Sequence, residues 1–429
     1  MTTSSGSPSA PGSTSLADTD FAVDTRQTNS LGEAARAYVN RLRGGDMGAL
    51  PAVLGLLVLV VVFSVASDRF LIALNIANLI TQAGAICVLA MGLVFVLLLG
   101  DIDLSAGVAG GLCAAVMALA IVDHGFPWYA AVLSGVVVGA LIGLVIGLLV
   151  AKVGIPSFVV TLAFFLGLQG VTLKLIGEGG SVRVDDPVLR GITISNVPVV
   201  AGWISAVLLV AAYAAVSVLG HRRKVRDGLQ HPPLSVVVLR IAGLAVVILG
   251  LTAVLNVNRS RNPNFPIEGI PYVLPVVGGL LLLWTFVLTR TTYGRHVYAV
   301  GGNREAARRA GIPVDRIRVS VFVICTSMAA LAGLIAASNS GKVSPSSGAG
   351  NTLLYAVGAA VIGGTSLFGG KGKARDAVIG GLVIATIANG LGLLNQASWI
   401  NFVVTGSVLL LAAGVDATSR RRRSASGIG

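Results

Sequence analysis

The chain has 429 residues, 55% of them hydrophobic and only 11% charged, with a formal net charge of +13. A water-soluble domain has about 25% charged residues, so a soluble globular protein is excluded and a chain built for lipid is implied. The basic excess fits residues lying beside an anionic leaflet, and no nucleic-acid partner is needed to account for it.

The first 48 residues are polar and rich in Ser, Thr and Gly, ending in a mildly basic stretch with Arg36, Arg41 and Arg43. No short apolar region with a cleavage site follows, so this is not read as a signal peptide. Residues 1–48 are expected to form a cytoplasmic tail, with 1–30 disordered and 31–43 a weak candidate for a surface helix. Twelve apolar segments then follow, at about 49–66, 76–99, 104–122, 129–151, 157–176, 197–219, 234–256, 271–289, 319–338, 352–369, 377–394 and 398–415. At about 20 residues per crossing they predict an all-α, polytopic transmembrane helical bundle of about 12 spans. The 55 glycines suit helices that pack closely through small side chains. Residues 49–418 form the transmembrane domain and 419–429, with Arg420 to Arg423, a basic tail.

Orientation follows from Lys and Arg, which favour cytoplasmic loops. With the N-terminus inside, 23 of the 31 basic residues fall on the cytoplasmic side. The largest group is the loop 290–318, which holds Arg290, Arg295, Arg304, Arg308, Arg309, Arg316 and Arg318. Six basic residues fall in the outer loops, matched there by six acids. Both ends are therefore expected in the cytoplasm.

The chemistry of the spans is sparse. Ion-coupled carriers keep ionisable groups inside the bilayer, yet Lys174 and Arg240 lie near span ends, where they can snorkel. Asp101 and Asp103 sit at the junction of spans 2 and 3. The run Gly363 to Lys373 looks like a phosphate loop, but Gly372 stands where a P-loop requires Ser or Thr, and Thr365 where it requires Gly. It reads as a glycine-rich turn. Cys87, Cys113 and Cys325 all lie in apolar runs, and the four histidines are scattered, so neither a metal site nor a catalytic constellation is predicted.

One basic island stands out, Val297 to Pro313. Asn303 is a plausible N-cap, and Glu305, Ala306 and Ala307 make a first turn of high helix propensity with the acid at the positive dipole end. Arg308 and Arg309 follow, Gly311 is placed to end the helix, and Pro313 blocks its continuation. A helix of about two turns is marginal alone in water. It is either an amphipathic loop helix on the membrane surface or an element that docks against a partner.

Glu305-Ala306-Ala307 followed by Gly311 resembles the EAA loop of the permease subunits of ABC importers, whose helix sits in a groove of the ATP-binding subunit. Tyr298 to Asn303 with Ala306, Ala307, Arg308, Gly311 and Ile312 is similar to the ribose/xylose branch of sugar permeases. Gly100 to Gly107 resembles that branch's signature around Asp103, Leu104 and Ser105, and Pro156 to Leu162 and Val361 to Leu367 resemble two further shared blocks. The resemblance covers about residues 50–418. Asp101 departs from it, since the family usually has Gly or Glu there. Relative to a ten-span core, the chain has an additional helix pair at about 197–256, as in the xylose-type permeases.

The resemblance implies the ABC importer permease fold and a subunit that moves a monosaccharide, a pentose with xylose first, across a bacterial plasma membrane. It implies a separate ATP-binding cassette subunit that binds ATP and Mg, an extracytoplasmic sugar-binding protein, and a permease homodimer. Asn303, Glu305, Ala306, Ala307, Arg308 and Gly311 would couple to the ATPase. Asp103 and Ser105 either cap span 3 or, with Asp101, form a polar element near the sugar path or a gate. Gln82 and Asn389, like Asn75, are amides that either line such a path or bond between helices. The alternative class is an ion-coupled secondary sugar transporter.

Overall fold

The computed structural model of the chain describes Gly32 and residues 48–229, 231–260, 262 and 264–425. The expected tail up to residue 47, its surface helix at 31–43, and residues 426–429 lie outside the described residues. With no water to serve them, backbone groups in lipid must be satisfied within the chain, which leaves helices as the natural element. Each of the twelve apolar segments falls on one: α1 Leu50–Ala66, α2 Ala73–Leu98, α3 Ala106–Val122, α4 Trp128–Leu148, α5 Ser157–Ile176, then α7 Val199–Arg226, α8 Leu234–Leu255 and α9 Val273–Arg290, and finally α12 Val314–Ser340, α13 Thr352–Gly363, α14 Ala374–Leu393 and α15 Ser398–Ala425. Eight of them are long and apolar enough to cross a membrane, while α1, α3, α13 and the apolar part of α15 are shorter. The chain is a polytopic helical membrane protein.

Between these helices lie elements too short for hydrophobic periodicity to reveal. A short helix, α6 (Pro187–Ile194), starts at Asp186, whose carboxylate accepts the Val188 and Leu189 amides at 2.9 and 3.1 Å. Two antiparallel ribbons of two residues per strand pair β1 (Val182–Arg183) with β4 (Lys342–Val343) and β2 (Asn196–Val197) with β3 (Ile270–Pro271). The basic island carries α10 (Thr292–Gly302) and α11 (Arg304–Arg309). A further five residues, Leu149–Val153, continue α4 as a π-helical turn.

The chain divides into two compact units, one containing Ser205–Gly250 and the other Leu42–Ile204 and Leu251–Gly429. The first holds most of α7 and α8, whose apolar side chains Leu208, Val216, Leu239 and Val246 are exposed, as suits a surface solvated by lipid. The second is organised around α2 and α12. α2 is buried on every side along Val88 to Leu98, and α12 packs against α2, α3 and α4. Glycine permits that closeness: a Cβ on Gly333 would run into the Gly110 carbonyl, and one on Gly139 would lie 2.7 Å from the Thr326 carbonyl oxygen.

Four segment ends move by five residues or more: α7 runs on to Arg226 and α15 to Ala425, past the expected 219 and 415. The segment expected to run to 369 stops as a helix at Gly363, because Gly364 takes φ +116 and residues 365–373 become a loop. The segment expected to begin at 319 begins at Val314, one residue after Pro313, with Val314 and Ile317 already buried.

Candidate functional site: a charged joint and a small-residue cavity

The basic island folds as a capped helix with its own approach. Thr291 Oγ1 accepts the Gly294 amide at 3.1 Å and starts α10. Asn303 then leaves helical geometry (φ −155, ψ 108), ends α10 and starts α11, its Oδ1 accepting the Ala306 amide at 2.9 Å. The end of α11 is a Schellman motif: the Gly311 amide donates to the Arg308 carbonyl and the Ile312 amide to the Ala307 carbonyl, both at 3.0 Å, with Gly311 at φ +81. Ala307 faces inward and is buried, whereas Glu305, Ala306, Arg308, Arg309 and Gly311 are exposed. Glu305 holds Arg309 Nε at 3.1 Å and Arg308 Nη1 at 3.8 Å on that outer face.

The inner side of α11 is fixed by charge. Asp101, at 6% side-chain exposure, receives Arg304 Nη2 at 3.0 Å and both Nε and Nη2 of Arg318 at 3.1 Å. The second Arg318 contact makes a bidentate fork, the strong geometry for guanidinium on carboxylate. Two cations on one anion leave a surplus of positive charge. The surplus donors go to backbone carbonyls at helix C-terminal ends, where partial negative charge gathers: Arg304 Nη2 to Leu99 O at 2.7 Å, just past α2, and Arg318 Nη1 to Val150 O at 3.1 Å, in the turn that ends α4. One carboxylate thus ties together the ends of α2 and α4, the start of α12, and α11.

The glycine-rich loop 364–373 meets the same place. Gly370 N donates to Leu98 O at 2.8 Å, Tyr298 OH donates to Gly372 O at 2.7 Å, and Gly301 leaves no room for a Cβ against Leu98 O. Burial, with the nearby Asp376 carboxylate adding to it, pushes the Tyr298 hydroxyl above its ordinary pKa, so it stays a donor to that carbonyl.

From this joint the chain turns inward. Asp103 and Ser105 are fully buried, Ser105 donating both its amide (2.9 Å) and its hydroxyl (2.6 Å) to Asp103 Oδ1. Asp103 thus serves the residue that immediately precedes α3. Its Oδ2 has no hydrogen-bond partner, and the buried Cys325 thiol lies beside it. At 1.5 Å per residue, Arg318 is about 6 Å and Cys325 about 17 Å into the roughly 40 Å of α12. The first turn of α3 therefore lies beside the middle of α12, and residues 99–105 reach it from the joint without helix. The loop before α13 reaches the same level, where Gly348 leaves no space for a Cβ against the Gly107 carbonyl. From there α3 runs away from the joint, and α13 runs toward it, to Gly364.

A cavity of about 220 Å³ lies where these two short helices begin. Its wall is mainly Gly and Ala from α2, α3 and α12, including Gly107, Gly111 and Ala332, with Ser347, Thr352 and Lys342 supplying polarity. Irregular backbone at membrane depth is tolerated where it is buried in protein or lines a cavity, and binding sites between broken helices are a recurrent transporter device. Neither Asp101 nor Asp103 lines it.

The structure places the remaining candidates elsewhere. Asn389 on α14 exchanges amide hydrogen bonds with Asn75 on α2 at 2.9 and 3.0 Å, and Asn75 also donates to Phe70 O at 2.9 Å. Both are buried, and the pair joins two helices. Gln82 is exposed on α2. Arg304 and Arg318 were not singled out by the sequence as partners of Asp101. A buried carboxylate signals that some cation must approach, but nothing local identifies one 217 positions away.

A permease family described as "Branched-chain amino acid transport system / permease component" matches residues 75–413, from α2 through α15 and so across both the joint and the cavity. The chain belongs to this family. The permease is 37% identical over 354 residues to the xylose transport system permease protein XylH of Escherichia coli, covering 82% of the chain and 87% of that protein. It is 34% identical over 383 residues to the XylH of Haemophilus influenzae, covering 89% of the chain and 99% of that protein. Identity to the ribose import permease protein RbsC of Escherichia coli is 31% over 365 residues, covering 85% of the permease and 92% of RbsC. No solved structure matches the permease.

Proposed function

We propose that this chain is the membrane-spanning permease subunit of an ATP-driven ABC importer that passes a monosaccharide, a pentose with xylose favoured, into the cytoplasm. The observation that carries this reading is α11: a capped helix with an exposed outer face at Glu305, Ala306, Arg308 and Gly311 and an inner face bolted to the spans through Asp101. Such a helix offers itself to an external motor and can pass a push inward. A separate ATP-binding cassette subunit would bind ATP and Mg and hydrolyse the nucleotide, this chain having no ATPase site of its own. An extracytoplasmic binding protein delivers the sugar, and two copies of the permease work together in a bacterial plasma membrane with both ends in the cytoplasm.

The family description names amino acids, whereas the relatives with 31–37% identity are named for xylose and ribose. The cavity favours the sugar. An amino acid is a zwitterion and needs a charge of each sign, while the lining offers small groups, a few hydroxyls and Lys342 with no acid. Its size is below the 300–1,000 Å³ usual for drug-sized ligands, which suits one small neutral solute held weakly.

The test is uptake of radiolabelled xylose in cells deleted for the endogenous gene and complemented with this chain and its neighbouring subunits. Uptake is expected to stop on ATP depletion and to survive collapse of the proton gradient. The reverse pattern would establish the ion-coupled alternative, with buried Asp103 as its natural proton carrier. Gly311→Asp and Glu305→Lys are expected to abolish uptake while membrane insertion is unchanged; normal uptake and normal ATPase stimulation in both would remove α11 from the mechanism.

A further inference from the structure

The function above gives α11 the role of receiving a push and leaves open where the push goes. We infer that Asp101 is the joint that delivers it to the wall of the cavity where α3 and α13 begin, through the non-helical segment 101–105. This rests on the importer reading and extends it.

Three observations carry the inference. First, α11 is short and its outer face is exposed, so its own apolar packing, chiefly Ala307, is a weak tether. The stronger tether is Arg304 in the first turn of α11, whose Nη2 reaches both the buried Asp101 carboxylate and Leu99 O, while the Arg318 fork from α12 holds that carboxylate from the other side. Second, Asp101 is four residues before Ser105, and those four residues contain no helix to absorb a displacement. Their other bonds continue inward: the Ser157 hydroxyl accepts the Ile102 amide and the Thr161 hydroxyl donates to the Ile102 carbonyl, each at a long 3.4 Å, and Asp103 holds the amide and hydroxyl of Ser105. Third, the segment ends on Ala106 and Gly107, which line the cavity. Tight bonds lie at both ends and loose bonds between them, the pattern of a link that moves as one piece.

The same geometry makes Asp101 sensitive to charge. Arg318 is anchored to Val150 O and Arg304 to Leu99 O, so the guanidinium pair is held by helices on either side and the carboxylate is the shared pin. An amide in its place keeps two polar atoms but loses the charge that both arginines answer. Asp101 is a positioning residue: it touches neither solute nor nucleotide.

The experiment uses the full assembly of permease, ATP-binding subunit and binding protein reconstituted in liposomes, with radiolabelled xylose as the probe. It reads xylose moved per ATP hydrolysed, together with each rate alone. Asp101→Asn is expected to lower that ratio at least tenfold, and Asp101→Glu to restore it to within twofold of the parent protein. Should the Asn variant fail to assemble, Arg304→Ala replaces it, and a threefold or greater fall in the ratio is expected, since α11 then loses both its ion pair with Asp101 and its bond to Leu99 O. An unchanged ratio in these variants overturns the inference. So does a parallel loss of hydrolysis and uptake, which would place the cluster in docking the ATPase. If the parent assembly itself shows no ATP-dependent uptake, the importer reading fails, and that outcome is recognisable before any variant is made.

Discussion

Asp101 and Asp103 are two residues apart and live in opposite surroundings. Asp101 has two guanidiniums on it and a third neighbour in the Leu99 carbonyl that shares Arg304; Asp103 has one serine, the start of α3 and an oxygen with no partner. The regions around them differ in the same way. At the joint, long charged side chains make directional contacts, and the outer face is open. At the cavity they are short, uncharged and steric, built from glycines with no space for a Cβ. Contacts of the first kind tolerate volume and respond to charge, because side chains reach across gaps. Those of the second kind tolerate charge poorly and volume not at all. A transporter subunit needs both: a place where force enters and a narrow place where that force changes the shape of a passage.

The largest effect is expected where volume is added at the cavity. A Cβ on Gly111 would overlap the Ser347 carbonyl, backbone against backbone. Gly111→Leu should therefore destabilise the protein by about 3 kcal/mol, the upper part of the overpacking range, seen as a lowered unfolding temperature in detergent and loss of uptake. At Gly311 nothing lies within 4 Å of an added Cβ, so the same leucine there should cost only the left-handed backbone strain of about 1–2 kcal/mol. Equal losses of stability at the two glycines would break the contrast between the regions.

Much of this architecture was legible in the chain. Twelve apolar runs gave twelve helices because lipid leaves the backbone few choices, and the caps at Asn303 and Gly311 are local devices written within nine residues of sequence. The joint was not legible. Asp101 reads as a residue at the junction of spans 2 and 3, and Arg304 and Arg318 as two of the basic residues of the loop 290–318; their pairing depends on how α2, α4 and α12 pack, which no local pattern encodes. The cavity was hidden for a related reason. The run 352–369 reads as one apolar span, and only the left-handed Gly364 shows that the helical part ends early. Periodicity reports that a segment is apolar, not at which depth its helix begins.

A middle-sized effect tests the polar contact that belongs to neither region. Asn75 and Asn389 join α2 to α14 by two reciprocal amide bonds. Asn75→Leu alone leaves the Asn389 amide buried and unsatisfied, at a cost of about 1–3 kcal/mol. The double variant Asn75→Leu/Asn389→Leu removes both partners and should be more stable than the sum of the singles, with uptake retained. A double-mutant cycle in thermal unfolding measures the coupling. Additive losses together with abolished uptake would instead put these amides on the solute path.

The smallest effect is expected on the outer face of α11. Glu305 pairs with Arg308 and Arg309, but all three side chains are more than half exposed, and exposed helix pairs contribute about 0.3–0.5 kcal/mol. Glu305→Gln keeps a good helix former in the first turn and should leave the unfolding temperature unchanged within error. If the isolated permease is so indifferent to this charge while xylose uptake by the assembly falls several-fold, the carboxylate is answering a group outside the chain, as the docking role of α11 requires. If uptake is as indifferent as stability, the negative charge on this face is dispensable, and the contact with the ATP-binding subunit must rest on the shape of α11 around Ala306 and Gly311.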